Sequence, residues 1–466
     1  MTLSDKIERA PPASAPGRHH LATELIETLK LAAPMALTQL GQIAMMTTDL
    51  AFIGRLGDAA VGAAALAGTV YFIAFTIGLG LMSAVAPLAA QAFGAGDPRM
   101  VRRSVRSGLW MGLLISLPIM IAPLRGEQIL HALGQAAEPS RLAQDYLFGL
   151  VWGVAPALWF IAIRGFMGAV NRPQPILWIT LAAIPLNALL VYVLVYGKFG
   201  APQLGLLGAG LGTATVNICT FLVSLWIAIR QDPFRRYHIL ARLWRIDWEL
   251  MRQIAVIGTP ISFALMLEWG LFSSAALLMG IISTTALAAH QIALQVTAVL
   301  FMIPLGISMA ATVRVGQAVG AKDIEGVKRA GVVAIGLGIA ISAALTVAVI
   351  ALRFDIARLF LGESLPNVEA TVALAGSLLL IGGSFFIMDG LQGVAAGALR
   401  GLNDTRVPLA FAAISYWGVG FCSAYLMAFH TSLGAEGVWI GLSIGSFVYA
   451  ALLTSRFRLL ASRLVL

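Results

Sequence analysis

Apolar stretches of 20 residues or more recur along the whole of this 466-residue chain, and only 11% of its residues are charged. A soluble globular protein carries about 25%, so lipid must be the solvent for much of the surface. Segments that cross lipid have to satisfy their own backbone hydrogen bonds, which leaves helices or closed barrels. Stretches of this length match a helix crossing a ~30 Å hydrocarbon core. Barrel strands would alternate over ~10 residues, and no such alternation is present.

Charge-poor segments predict twelve spans, at 31–54, 60–92, 107–124, 146–163, 174–196, 204–229, 253–281, 287–313, 331–352, 370–399, 407–429 and 437–455. The second and tenth are long enough to require tilting, kinking or protrusion. With the N-terminus placed inside, 25 of the 31 Lys and Arg fall in inside segments and 6 in outside ones. That asymmetry follows the positive-inside rule and predicts both termini in the cytoplasm. It also accounts for the net charge of +9 without a nucleic-acid partner. Met1 to Lys30 has no apolar core of a signal peptide and reads as a short, partly disordered cytoplasmic tail. The two cysteines, Cys219 and Cys422, lie in apolar stretches and read as small buried hydrophobes rather than a disulfide.

The chain also repeats itself. Shifted by 226 residues, Pro34 meets Pro260, Gly54 meets Gly280 and Gly80 meets Gly306. Gln91-Ala92-Phe93-Gly94-Ala95-Gly96-Asp97 then meets Gln317-Ala318-Val319-Gly320-Ala321-Lys322-Asp323. Near the end of each half the shift becomes 229, where Gly205, Gly208 and Gly212 meet Gly434, Gly437 and Gly441. Each half holds an even number of spans, so the halves share one orientation and are related by a pseudo-two-fold axis along the membrane normal. The fold class is therefore all-α integral membrane protein, with two six-helix halves. The expected organisation is a tail (1–30), an N-terminal lobe (31–229), a basic linker loop (230–252), a C-terminal lobe (253–455) and a second tail (456–466).

No phosphate-binding loop, HExxH, paired CxxC or GxSxG motif occurs, which argues against an ATP-driven pump and against an enzyme. The candidates that remain are acids inside spans: Asp49 in span 1, Glu268 in span 7 and Asp389 in span 10. An acid at mid-bilayer costs on the order of 3 kcal/mol on insertion scales, so each is a functional candidate. If spans 7 and 10 face one cavity, Glu268 and Asp389 share a low-dielectric site and would hold a proton or a cation between them. Met45, Met46, Met266, Met309, Phe385 and Phe386 are candidates for an adaptable apolar cavity wall. Gln42, the repeat partner of Glu268, belongs with the polar candidates of the N-half.

Taken together these residues resemble the MATE (multidrug and toxic compound extrusion) family, in its NorM branch. The resemblance rests on Pro34 through Gly54 with Thr48-Asp49 ahead of Phe52-Ile53-Gly54, and on Gln91 to Asp97. It rests also on Pro185-Leu186-Asn187, Leu267-Glu268, Met388-Asp389, Gly397-Ala398-Leu399-Arg400-Gly401 and Asn403-Asp404-Thr405. It implies a monomeric multi-pass protein of the bacterial inner membrane that exports small organic cations and drugs by H⁺ or Na⁺ antiport, with no cofactor. By motif position, Asp49 matches the N-lobe acid and Asn187 a polar N-lobe position. Glu268 and Asp389 match the acids of the C-lobe cation site, a candidate Na⁺ site. One departure bears on Na⁺: some relatives carry a tyrosine one turn before the span 10 acid, where this chain has Phe385. The alternative reading is a lipid-linked oligosaccharide flippase of the same superfamily, which would want basic residues deep in the spans. A third, a membrane-embedded enzyme, would need a nucleophile or metal constellation at one depth.

Overall fold

The computed structural model describes residues 18–361 and 368–464. Nearly all of them are helical, and no strand occurs among the described residues. In chain order the N-half contains α1 (Arg18–Gly54), α2 (Asp58–Ser83), α3 (Val85–Gly94), α4 (Pro98–Leu124) and α5 (Gly126–Ala132). It continues with α6 (Ala137–Val151), α7 (Val154–Ala169), α8 (Gln174–Tyr196) and α9 (Leu206–Arg230). The C-half contains α10 (Trp248–Ile282), α11 (Thr284–Gly320), α12 (Ile324–Ala351), α13 (Arg353–Leu361) and α14 (Val368–Gly401). It ends with α15 (Arg406–Ala412), α16 (Cys422–Phe429) and α17 (Ala435–Arg463). Between α15 and α16 the chain is wound as a π-helix, Ala413–Phe421.

Ten helical runs are long and apolar enough to cross a membrane, and α6 with α7, bent by 47°, makes an eleventh. Helix α1 is the twelfth by its place in the repeat. It misses the apolar criterion because Thr38, Gln39, Gln42, Thr47, Thr48 and Asp49 interrupt its hydrophobic residues. The second expected span is interrupted at Ala84, between α2 and α3. The tenth runs unbroken through the 34 residues of α14, about 51 Å at 1.5 Å per residue. It therefore protrudes beyond a ~30 Å core.

The helices are longer than the expected spans at the end of the bundle that carries most of the arginines, called here the basic end. Three expectations change as a result. The N-terminal segment is helical from Arg18 onward, and Glu24 grips Arg314 of α11 through two hydrogen bonds of 2.8 Å. The expected linker starts too early and ends too late, since α9 runs to Arg230 and α10 begins at Trp248. Within the linker, Trp110 donates to the Leu243 carbonyl at 2.7 Å and Arg103 pairs with Asp247 at 2.7 Å. The expected tail after residue 455 continues α17 to Arg463 and binds Asp404 through Arg456 at 2.9 Å.

Two packing expectations are corrected. Cys422 is exposed and Cys219 half-buried. In a bilayer an apolar residue gains nothing by facing inward, so a small thiol sits equally well against lipid. Phe385 and Phe386 are buried against Trp439; Phe385 packs in the core, while Phe386 lines only a small enclosed cavity next to Asp389.

The repeat is visible in how each helix starts. Asp97 caps α4 by accepting from the backbone N–H of Arg99 and Met100, both at 3.0 Å. Its partner Asp323 caps α12 by accepting from Gly326 N–H at 2.8 Å. Gly205 and Gly434, which precede α9 and α17, share a positive φ of 57° and 56°. That backbone conformation carries no steric penalty at glycine.

The halves meet along α1, α2 and α3 on one side and α10 and α11 on the other. Small residues let the backbones approach. A Cβ on Gly80 would overlap Ser262, and one on its partner Gly306 would overlap Ala36, which is the partner of Ser262. At the basic end a Cβ on Gly94 would collide with the Gln317 carbonyl, and one on Gly320 with the Gln91 carbonyl. The same two glutamines tie the halves together. Gln91 donates to the Gly401 carbonyl at 2.9 Å and accepts from Asn403 Nδ2 at 3.0 Å. Gln317 donates to the Ala169 carbonyl and to Asn171 Oδ1, both at 2.9 Å. Asn171 and Asn403 both adopt left-handed backbone angles, φ 62° and 59°.

Candidate functional site

Each half holds its own buried acid site. In the N-half, Asp49 lies on α1, five residues before its end, with 8% of its surface exposed. Asn187 of α8 donates to its Oδ1 at 2.6 Å and Thr213 of α9 donates to its Oδ2 at 2.9 Å. Both oxygens are thus held by neutral donors from two other helices, and no arginine, lysine or histidine pairs with Asp49 among the described residues. Asn187 follows Pro185 within α8. Gln42 lies two turns before Asp49 on the same face of α1 and half-buried, but makes no hydrogen bond to Asp49, Asn187 or Thr213.

In the C-half, the structure brings Glu268 of α10 and Asp389 of α14 together through one amide. Gln392 Nε2 donates to Asp389 Oδ1 at 2.8 Å and to Glu268 Oε1 at 3.3 Å. Laid end to end, those distances allow the two oxygens a separation of at most about 6.1 Å. Two unit charges that close repel by roughly 3 kcal/mol at an effective dielectric near 20. Tyr416, from the π-helical segment, donates to Glu268 Oε1 at 3.3 Å. The Gln392 Oε1 atom is buried and has no hydrogen-bond partner. Behind Asp389 lies a cavity of about 10 Å³ lined in part by Thr297, Pro304 and Ser342, room for about one water-sized body.

Asp389 is buried and Glu268 half-buried, so Glu268 is the more accessible member of the pair. Phe272 of α10, one turn beyond Glu268, packs on Phe385 with ring centroids 5.9 Å apart. The hydroxyl missing at Phe385 has a counterpart in Tyr416, which reaches Glu268 from a different helix. Basic residues inside helices, Arg164 and Arg314, lie near the basic end and bind Gln39 at 2.9 Å and Glu24 at 2.8 Å.

Thr213 and Tyr416 were not among the sequence candidates, and Gln392 is a polar residue of span 10 to which the sequence assigns no particular role. The available signal was polarity inside an apolar span. It does not say which way a side chain points.

Comparisons with known proteins agree with this architecture. The MatE family profile matches residues 34–193 and again 260–426. A probable multidrug resistance protein NorM of Bradyrhizobium diazoefficiens is 65% identical over 466 residues, covering all of both chains. One of the same description from Mesorhizobium japonicum is 42% identical, covering 93% of each. Among solved structures, the eukaryotic MATE transporter AtDTX14 superposes with a TM-score of 0.84 at 22% identity, covering 95% of this chain and 98% of that one. An outward-facing multidrug resistance MATE family transporter of the MOP superfamily gives 0.85 at 21% identity, covering 97% and 99%. At such identities these two likenesses speak for the fold. The chain belongs to the MatE family, and it is a multi-pass membrane transporter rather than an enzyme.

Proposed function

We propose that this protein exports cationic, amphipathic compounds from the cell in exchange for H⁺ or Na⁺, with Glu268 and Asp389 as the coupling site. One observation carries the reading. Two carboxylates, one of them fully buried, share a single amide donor, and the oxygen of that amide is itself buried without a partner. A bound proton or Na⁺ answers both needs. It removes the mutual repulsion, and it gives the orphaned Gln392 oxygen either a hydroxyl donor or a cation to face. The Tyr416 hydroxyl supplies a further oxygen at the site. The relatives named as multidrug resistance proteins support drugs as the cargo.

Asp49, with Asn187 and Thr213, forms the second acid site, for protonation or cargo in the N-half; Gln42 lies on the path toward it along α1. The predominance of acids over bases inside the spans favours cationic cargo. A flippase for a pyrophosphate-linked lipid would need free basic residues in the cleft; Arg164 and Arg314 are held by Gln39 and Glu24, and Arg400 on α14 has Glu268 as its electrostatic partner.

The chain works as a monomer of two lobes, 31–229 and 253–455, in the bacterial inner membrane with the basic end and both termini in the cytoplasm. The asymmetry of arginines and the two separate MatE matches support that arrangement. Dye efflux from inverted vesicles tests the function, with a Na⁺ gradient and a pH gradient imposed separately. Efflux driven by neither gradient overturns antiport. Efflux driven by one of them names the coupling ion.

A further inference from the structure

On the outer face of the N-half, away from both acid sites, α8 and α9 leave a groove of about 400 Å³ between them. Five of its lining residues, Gln174, Pro175, Trp178, Ile179 and Ala182, fall on one face of α8. Val223 and Ile227 of α9 and Gln231, directly after its end, fall four residues apart. The floor is apolar. Apart from the indole N–H of Trp178, the polar lining side chains are the amides of Gln174 and Gln231, and both sit at the mouth, at the basic end.

The mouth carries positive charge that the protein does not use. Arg172, two residues before Gln174, and Arg230, next to Gln231, are both exposed. Neither side chain forms an ion pair or hydrogen bond among the described residues. The acid beside them, Asp232, is already paired with Arg236 at 3.6 Å. The 23-residue helix α8 begins at the mouth, so its positive dipole end points to the same place. Trp178, 68% exposed one turn below, is the residue type that settles at the boundary between headgroups and hydrocarbon.

The dimensions fit one occupant. From Gln174 to Ala182 the groove runs about 12 Å along α8, most of the ~15 Å of hydrocarbon in one leaflet. A free phosphate would leave the apolar floor uncovered, and a neutral lipid would leave the arginines unused. We infer that the α8–α9 groove is a binding site for one anionic phospholipid of the leaflet at the basic end. Its phosphate lies between Arg172, Arg230 and the two glutamine amides, and one acyl chain lies along Trp178, Ala182, Val223 and Ile227.

Native mass spectrometry of the detergent-purified protein tests this, using phosphatidylglycerol and phosphatidylcholine of the same acyl chains. The wild-type protein is expected to retain one phosphatidylglycerol in preference to phosphatidylcholine. Replacing both arginines (Arg172→Gln with Arg230→Gln) removes two surface cation–lipid attractions and is expected to weaken phosphatidylglycerol binding about thirty-fold, to the level of phosphatidylcholine. Ala182→Phe fills the groove floor from an exposed position and is expected to reduce binding of both lipids. Size-exclusion profiles matching the wild type establish that each variant is folded. Equal retention of the two lipids by the wild type overturns the inference, as does undiminished phosphatidylglycerol binding in either folded variant.

Discussion

Glu268 and Asp389 depend on the same Gln392 amide, so a change at any one of the three is felt by the others. Glu268→Gln or Asp389→Asn removes a carboxylate of the proposed coupling site, and either is expected to abolish gradient-driven efflux while leaving the protein folded in the membrane. Normal efflux from both variants in inverted vesicles would refute the coupling site. Tyr416→Phe deletes one 3.3 Å hydrogen bond worth about 1 kcal/mol, so a several-fold loss is expected rather than abolition. In the N-half, Asn187→Ala leaves one Asp49 oxygen without its donor, at about 1–3 kcal/mol. Asp49→Asn removes the charge that made the bond strong. The two losses of thermal stability in detergent should therefore fall short of additive in the double variant; strict additivity would mean the contact carries no energy. Asp49→Asn is also expected to impair export of monovalent organic cations. The acids were legible in the sequence because a charge at mid-span stands out against its neighbours. Thr213 and Tyr416 were not, because an uncharged polar residue costs little in a helix and spacing along one span does not fix its rotation against another.

At the scale of helices, the basic end is closed by a symmetric pair of glutamine latches, Gln91 on Gly401 and Asn403, and Gln317 on Ala169 and Asn171. Replacing both glutamines with alanine deletes four bonds between the halves, about 2–6 kcal/mol in all. That is enough to move a two-state equilibrium by more than an order of magnitude. The variant is expected to populate a conformation open at the basic end. Spin labels at Arg99 and Glu325, in a background lacking Cys219 and Cys422, should report a longer distance than in the parent protein. An unchanged distribution would show that the glycine contacts alone hold the end shut. The sequence repeat placed the two glutamines as partners, yet nothing in it says that each reaches into the opposite half. Helix ends were the least legible feature. Charge marks where a helix leaves lipid, not where its hydrogen bonds stop, so α1, α11 and α17 continue past their expected ends. The π-helical winding at Ala413–Phe421 left no mark in composition, although it carries Tyr416 to Glu268.

Over the whole molecule, two halves with separate acid sites and a shared seam have the form required for alternating access. The number of spans and the pseudo-two-fold were legible because gene duplication leaves a register that survives divergence, while the acids diverged: Glu268 faces Gln42 in the repeat and Asp49 faces Ala275. The exchanged ion can drive the cycle only if it binds one state better than the other, since equal affinity shifts nothing. In the proposed scheme, neutralising the Glu268–Asp389 pair removes their mutual repulsion and lets the helices around it repack, with Pro260 in α10 and Pro304 in α11 as the bends. Cationic cargo is attracted by the same negative charge that the ion cancels. Ion and cargo should therefore bind antagonistically, and at equilibrium each must weaken the other by the same factor. Cargo affinity measured in detergent from about pH 5 to pH 9, with and without Na⁺, is expected to fall as protons are added if H⁺ is the coupling ion, and to fall with Na⁺ at constant pH if Na⁺ is. If one ion occupies the shared amide, as proposed, the two effects should not add: at low pH, Na⁺ should have little left to displace. Cargo affinity that neither ion reduces would leave the acids without a role in exchange, and would turn the protein into a facilitator whose direction is set by the cargo gradient alone.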